Sequence, residues 1–189
     1  MRGYRLGCTA LAFVGVALLA PLGAHPVAQD DAPAAAACGE TNPVVEAAAL
    51  AYARHYGIPR DLARTIYVQA RAADVDPRLV FALVAAESRF DARAVGGKGE
   101  RGLLQLRLAT ARAYDSRVTP EALFHAETNL RLGLLHLKRE VEHFDHDWRL
   151  GLLAYNMGRG RVTRALEQGS APASGYATRV LAGLRERPL

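Results

Sequence analysis

Glu87 closes the run Leu79-Val80-Phe81-Ala82-Leu83-Val84-Ala85-Ala86, which reads as a core helix. A carboxylate in that company is short of water on some of its sides. It also lies near the negative end of the helix dipole, which disfavours ionisation. Both effects hold a proton on the carboxyl and suit it to general-acid chemistry near neutral pH. The competing reading places Glu87 at the helix end, pointing into water. Two more segments carry weight beside Glu87-Ser88-Arg89-Phe90. One is Gly102-Leu103-Leu104-Gln105; the other is Ala154-Tyr155-Asn156-Met157-Gly158, followed by Gly160-Arg161-Val162.

Other chemistries have thinner support. The six histidines are scattered, and no Cys/His cluster has ligand spacing, so neither a metal site nor a cofactor is expected. His143 and His146 share a helix end that reads as solvated surface. Cys8 falls in an expected leader and Cys38 in an Ala-rich stretch, which leaves no internal disulfide in a processed chain. The glycines at 96, 97, 99 and 102 lack the spacing of a phosphate-binding loop. They suit a tight turn or a close backbone approach to a ligand. Net charge is +5 and is carried almost entirely by arginine, with Lys98 and Lys138 as the two lysines. The basic residues are interleaved with acids and form no cluster with aromatic neighbours, so nucleic acid is not an expected partner.

The elements that must position these residues are helical. Asn42-Pro43 opens a helix to about Tyr56, closed by Gly57, and Pro59 opens another to about Ala73. Asp76-Pro77 caps and starts the helix carrying Glu87. Residues 91–109 break the helical pattern, and the segment around Gly102–Leu106 reads as a short strand or extended piece. A turn of helix is expected at Thr119-Pro120-Glu121. A long amphipathic helix follows from about Glu127 to Phe144, with Leu130, Leu134, Leu137, Val141 and Phe144 on one face. Asp147 caps a helix from Trp148 to Asn156. Gly158 and Gly160 interrupt it before a short helix at 161–168, and a last helix runs from Tyr176 to Glu186. With no run of paired strands, the expected fold is all-α.

Length and composition place one domain behind a processed leader. Half of the 189 residues are apolar, and a body of this size buries roughly 70% of its unfolded surface. Arg2 and Arg5 precede the apolar stretch Leu6–Leu19, which is short for a membrane span and reads as a secretory signal ending near Ala24. An uncleaved anchor is the alternative. The divisions are a signal peptide at 1–24, a disordered Ala/Pro-rich linker at 25–42, an N-terminal helical extension at 43–64 and a helical domain at 65–187. Localisation outside the cytoplasm follows, in the periplasm or cell envelope.

The three segments, in order, resemble the soluble lytic transglycosylase family, lysozyme-like enzymes that cleave peptidoglycan. That family carries Glu-Ser-x-Phe at the end of a buried helix, Gly-Leu-Met-Gln about fifteen residues on, and Ala-Tyr-Asn-Ala-Gly before Gly-Arg-Val. Asn129-Leu-Arg-Leu-Gly133 resembles its intervening helix, and Tyr176-Ala-Thr-Arg-Val180-Leu181 its last one. The resemblance covers about residues 65–187. It implies a lysozyme-like helical domain that cuts the MurNAc–GlcNAc β-1,4 bond without adding water, leaving 1,6-anhydro-MurNAc ends. One glutamate, Glu87, would serve as acid and then as base.

The resemblance also implies roles for Ser88, Gln105, Tyr155, Asn156 and Tyr176 in binding the glycan. Each has a structural alternative: a helix cap for Ser88, an exposed loop amide for Gln105, a core ring for Tyr155, a helix C-terminal residue for Asn156 and packing for Tyr176. No second carboxylate occupies a comparably apolar position; Asp91 and Glu100 are loop residues. The chain departs from the family pattern at Gly96, where Ser is usual, and at Glu100, where a small Ala is usual. Leu104, Leu108, Met157 and Arg159 are further departures. Glu100 either raises the proton affinity of Glu87 or faces solvent. Expected partners are peptidoglycan glycan strands, with a secretion or cell-wall apparatus beyond them, and a monomer is the expected state. A hydrolytic muramidase on the same fold, or a catalytically silent glycan-binding module, are the alternatives.

Overall fold

A computed structural model describes residues 42–170, 172 and 175–185. The expected signal peptide and the linker as far as residue 41 lie outside the described residues. Helix α1 (Pro43–Tyr56) begins where the Asn42 side chain accepts the Val44 amide at 3.0 Å, and it ends at Gly57, whose φ of 64° is left-handed. Helix α2 (Arg60–Ala72) returns against it. Helix α3 (Pro77–Ser88) starts on Asp76, which accepts the Arg78 amide at 2.9 Å. The Arg78 guanidinium forks onto the same carboxylate and donates to the Leu184 carbonyl at 2.8 Å. This ties the start of α3 to the end of the described chain.

The apolar run identified in the sequence makes α3 a central helix. Leu79, Val80, Phe81, Leu83 and Val84 are all buried. The helix packs against α2 on one side and α8 (Gly175–Ala182) on another. Phe81 stacks on Tyr52 of α1 with ring centroids 3.9 Å apart, and Tyr56 and Phe90 extend the aromatic cluster. Burial of the Tyr52 phenol pushes its pKa up to about 12, consistent with a ring held inside the core. The long helix α5 (Ala126–His143) and α6 (Trp148–Met157) form the other half of the core, with α6 also meeting α7 (Arg159–Glu167) and α8.

Among the described residues the fold is helical. The expected extended segment is realised as two isolated bridges, Val95 with Arg101 and Arg101 with Leu106. They close tight turns instead of building a strand. The sequence reading differs from the structure in three places. Residues 108–112 form a short helix, α4, inside and beyond the stretch taken as non-helical; Ala111 is buried in a small satellite core with Leu106, Leu123 and Leu132. Gly160 does not interrupt the chain, because α7 starts at Arg159 and the break falls on Gly158 alone, at φ 90°. The last helix ends at Ala182 and tightens to a 3-10 turn at Gly183–Arg185, where an added Cβ on Gly183 would lie 2.3 Å from that of Ala82.

Helices α5 and α6 cross where Gly151 faces Val141. A Cβ on Gly151 would stand 2.4 Å from the Val141 Cγ2 and 2.8 Å from its Cα. Backbone cannot yield there as a side-chain tip can. Gly151→Ala should therefore destabilise the protein by about 1–3 kcal/mol through overpacking, measured as a lower urea midpoint at unchanged slope.

Candidate active site

Helix α3 delivers Glu87 one residue before its end, half-buried. The chain then turns sharply. Arg89 caps the helix at φ 52° and Phe90 follows at φ 65°, two consecutive non-glycine residues in the left-handed region. Such backbone costs on the order of 1–3 kcal/mol per residue and persists where surroundings over-determine it. Here Phe90 is held by Tyr56 and Phe81, with centroids 5.0 and 6.3 Å away. The competing reading of Glu87 as a solvated helix end is not what the fold produces. Burial raises its pKa above the ordinary carboxylate value, and the negative charge of Glu100 pushes the same way. A hydrogen bond donated by the Tyr176 hydroxyl to Glu87 Oε1 opposes them without reversing the direction.

The segment after the glycine-rich turn is positioned by a residue to which the sequence reading gave no role. Asn129 of α5 is fully buried. Its Oδ1 accepts the Leu104 amide at 2.8 Å, and its Nδ2 donates to the Arg101 and Leu123 carbonyls, each at 2.8 Å. From the other side the Tyr155 hydroxyl donates to the Leu104 carbonyl at 2.7 Å. Gly102, at φ 73°, permits this approach, since a Cβ there would lie 2.2 Å from the Leu123 carbonyl oxygen. Gln105 follows at φ 46°. Its Nε2 donates to the Gly102 carbonyl at 2.9 Å and to that of Ala94 at 3.3 Å.

A cleft of roughly 270 Å³ results, lined by Glu87, Glu100, Gln105, Leu106, Arg107, Thr110, His136, Tyr155 and Asn156. The sequence-predicted residues Glu87, Gln105, Tyr155 and Asn156 therefore come together. Tyr176 is buried and reaches the site through its hydrogen bond to Glu87. Ser88 does not line the cleft; it is buried and its hydroxyl donates to the Val84 carbonyl in its own helix, at 3.2 Å. Tyr155 is held as a neutral phenol by burial, with the Glu87 charge adding to the effect. Tyr176 is likewise held far above the ordinary phenol value, first by burial and then by Glu87. Both tyrosines are thus donors, not bases.

His136, Arg107 and Thr110 were missed as lining residues. Burial lowers the pKa of His136 and favours its neutral form. Its Nδ1 lies 3.2 Å from the Tyr114 hydroxyl and its ring stands 5.2 Å from that of Tyr155. Behind it, Glu140 is buried and receives a two-pronged hydrogen bond from Arg159, both contacts at 2.9 Å. A usable signal existed for Asn129, His136 and Glu140. The three sit at spacings of seven and four along one helix, the spacing of a shared face, beside leucines that define the core. Among the described residues, no group of three or more His, Cys, Asp or Glu is placed to hold a metal ion.

Two consequences can be measured. Asn129→Asp keeps an acceptor but loses both donors: the Leu123 carbonyl loses its side-chain partner, the Arg101 carbonyl keeps only the Leu106 amide, and a carboxylate is buried in their place. A loss of about 2–4 kcal/mol is expected, read by urea unfolding. The second concerns pH. The folded-state pKa of Glu87 is raised, so the folded protein pays for ionising this group as pH climbs from the unfolded-state value through the folded one. Below both values the cost is absent. Glu87→Gln should therefore melt above the wild type at pH 8 and level with it near pH 4, by circular dichroism.

Comparison with known proteins places the family and the fold. The family model for the transglycosylase SLT domain matches residues 64–175. Membrane-bound lytic murein transglycosylase F of Alteromonas mediterranea is 32% identical over 100 residues, covering 51% of this chain and 21% of that protein. Membrane-bound lytic murein transglycosylase D of Escherichia coli is 33% identical over 87 residues, covering 45% and 19%. The chain thus spans about a fifth of the length of these curated relatives. Among solved structures, the 70 kDa soluble lytic transglycosylase SLT70 of Escherichia coli superposes at a TM-score of 0.56 with 25% identity, over 67% of this chain and 23% of that one. The lytic transglycosylase Slt of Pseudomonas aeruginosa, solved as an inactive mutant, shares the fold at a TM-score of 0.51 and 24% identity, over 66% of this chain and 20% of that one. With its family model covering more than half of the residues, and the helical fold of these structures around the cleft, this chain belongs to the transglycosylase SLT domain family.

Proposed function

We propose that this protein is an exported peptidoglycan lytic transglycosylase that cuts the MurNAc–GlcNAc β-1,4 bond without water. The observation that carries the reading is Glu87. It is a half-buried carboxyl with a raised pKa, facing a cleft whose other walls present an amide at Gln105, a second amide at Asn156 and the ring of Tyr155. Cleavage of a glycosidic bond needs a proton on the leaving oxygen, because an alkoxide leaves poorly. Glu87 delivers it as the C1–O bond breaks. The positive charge on the sugar is shared by the substrate's own acetamido group. The ionised Glu87 then takes the proton of the MurNAc 6-hydroxyl as O6 bonds to C1, which restores the acid and leaves a 1,6-anhydro ring.

A raised pKa serves both steps, since it keeps the proton on Glu87 at the start and makes its conjugate base stronger afterwards. Gln105 and Asn156 orient the sugar. Tyr176 fixes the rotamer of Glu87, so that the acid meets the scissile oxygen in one geometry. Ser88 is assigned a supporting role in the helix end beneath Glu87, consistent with its bond to Val84. Envelope localisation follows from the expected leader and accords with relatives named as membrane-bound; among the described residues no helix is long and apolar enough to cross a membrane.

One observation favours a second reading. Glu100 lines the same cleft as Glu87, and paired carboxylates serve hydrolytic glycosidases. Digestion of purified sacculi separates the two. Anhydro-muropeptides are expected; reducing-end muropeptides, heavier by one water, would establish the muramidase instead. Glu87→Gln should lower release by about 10²–10⁴-fold with the fold intact. A wild type that binds sacculi and releases nothing would leave a binding module.

A further inference from the structure

Gly96 and Glu100, two of the places where the chain departs from the pattern it otherwise follows, are in contact. A Cβ on Gly96 would stand 2.6 Å from Glu100 Oε2 and 2.8 Å from Gln105 Oε1. The carboxylate therefore occupies space that any side chain at residue 96 would claim. It is anchored there, because Oε2 accepts the Lys98 amide at 2.9 Å while the backbone turn is closed by Gly96 N to the Glu100 carbonyl at 2.8 Å. Glu100 is half-exposed, yet it forms part of the wall of the cleft that holds Glu87. A second cavity, bounded by Lys98, Arg107, His136, Tyr155 and Arg159, also has Glu100 in its wall.

We propose that Glu100 is a second functional carboxylate of this cleft, a positioning residue that acts through Glu87 to set the pH range over which the glycan is cut. The proposal rests on the lytic transglycosylase reading above. Its physical basis is a fixed negative charge that a neighbouring acid cannot escape. Burial works against ionisation of Glu100, but hydrogen bonds from its own amide and that of Lys98, with the charges of Arg107 and Lys98, outweigh burial and hold its pKa below the ordinary value. Glu100 is thus ionised throughout the working range. Burial holds the proton on Glu87, and Glu100 holds it further. Two carboxyls driven in opposite directions form the arrangement that lets one stay an acid at neutral pH.

The remaining groups around Glu87 do not duplicate this effect. Tyr176 from α8 donates a hydrogen bond and so acts in the opposite sense. Tyr155 from α6 is neutral. His136 from α5 is held toward its neutral form by burial. Arg107, in the loop, lines the same cleft, and its charge bears on Glu100. Glu100 is the carboxylate whose charge supplements burial at Glu87.

The test is Glu100→Gln, which keeps an oxygen for the Lys98 amide and removes the charge. Release of muropeptides is followed from pH 5 to pH 8. At pH 5 the variant should stay within about twofold of wild type, and by pH 8 it should fall behind by roughly threefold or more, as the alkaline limb of its profile moves to lower pH. Glu100→Ala, which vacates the space above Gly96, should move the limb the same way. A titration of the Glu87 carboxyl carbon by NMR, wild type against Glu100→Gln, gives a readout without activity and should show the midpoint moving down. An unmoved midpoint, an equal loss at every pH, or a switch from reducing-end to anhydro products overturns the proposal. A wild type that releases no anhydro-muropeptides overturns the function reading instead, and the NMR midpoint still decides whether Glu100 governs Glu87.

Discussion

The site depends on a single buried amide. Asn129 is a fully buried polar residue of α5; of its three hydrogen bonds, each of 2.8 Å, two clamp the Arg101–Leu104 loop to the helix and the third holds the Leu123 carbonyl. An unpaired amide there would carry a desolvation cost, so the loop and the helix fold around each other or not at all. Everything downstream inherits this placement. The Leu104 peptide is gripped by Asn129 at its N–H and by Tyr155 at its carbonyl. Gln105 is the next residue. The loop also supplies Glu100 and Arg107 to the cleft wall. One polar network in the core therefore connects α5, α6 and the glycine-rich turn, and it fixes where Gln105 stands in the cleft wall.

Glu87 approaches from the other half of the core. Its helix is apolar enough to be buried on more than one side, and the carboxyl is the part that remains at the surface of the cleft. Desolvation there is unfavourable for the folded state once the group ionises, and that same effect holds the proton on the carboxyl. The left-handed residues Arg89 and Phe90 belong to the same compromise. They turn the chain away immediately after Glu87, and the stacked rings of Tyr52, Tyr56 and Phe81 supply the packing that holds them. The N-terminal helix α1 thus supports the turn that follows Glu87.

Much of the fold was legible because it is local. The side-chain caps at Asn42, Asp76 and Asp147, the breaks at Gly57 and Gly158, and the apolar face of α5 lie within a few residues of the helices they define. The short helix α4 was not legible, because five residues give too little periodicity. It exists because Ala111 is drawn into a satellite core with residues from 106, 123 and 132. Glycine was also read too simply: Gly160 sits inside a helix, while Gly151 and Gly183 are there to let helices approach.

The sequence by itself determined the longer helices, in order, and the placement of one carboxyl at the end of an apolar run. Those follow from interactions between near neighbours, whose spacing is visible in the chain. Tertiary structure alone decided which polar groups meet. Tyr176 reaches Glu87 across 89 residues, Tyr155 reaches Leu104 across 51, and Asn129 reaches Leu104 across 25. It also decided that Ser88 turns back into its helix and that Glu100, a loop residue by its surroundings in the chain, stands in the cleft. Such contacts depend on how the helices pack, and the packing is set by burial of the whole core, which no local spacing encodes.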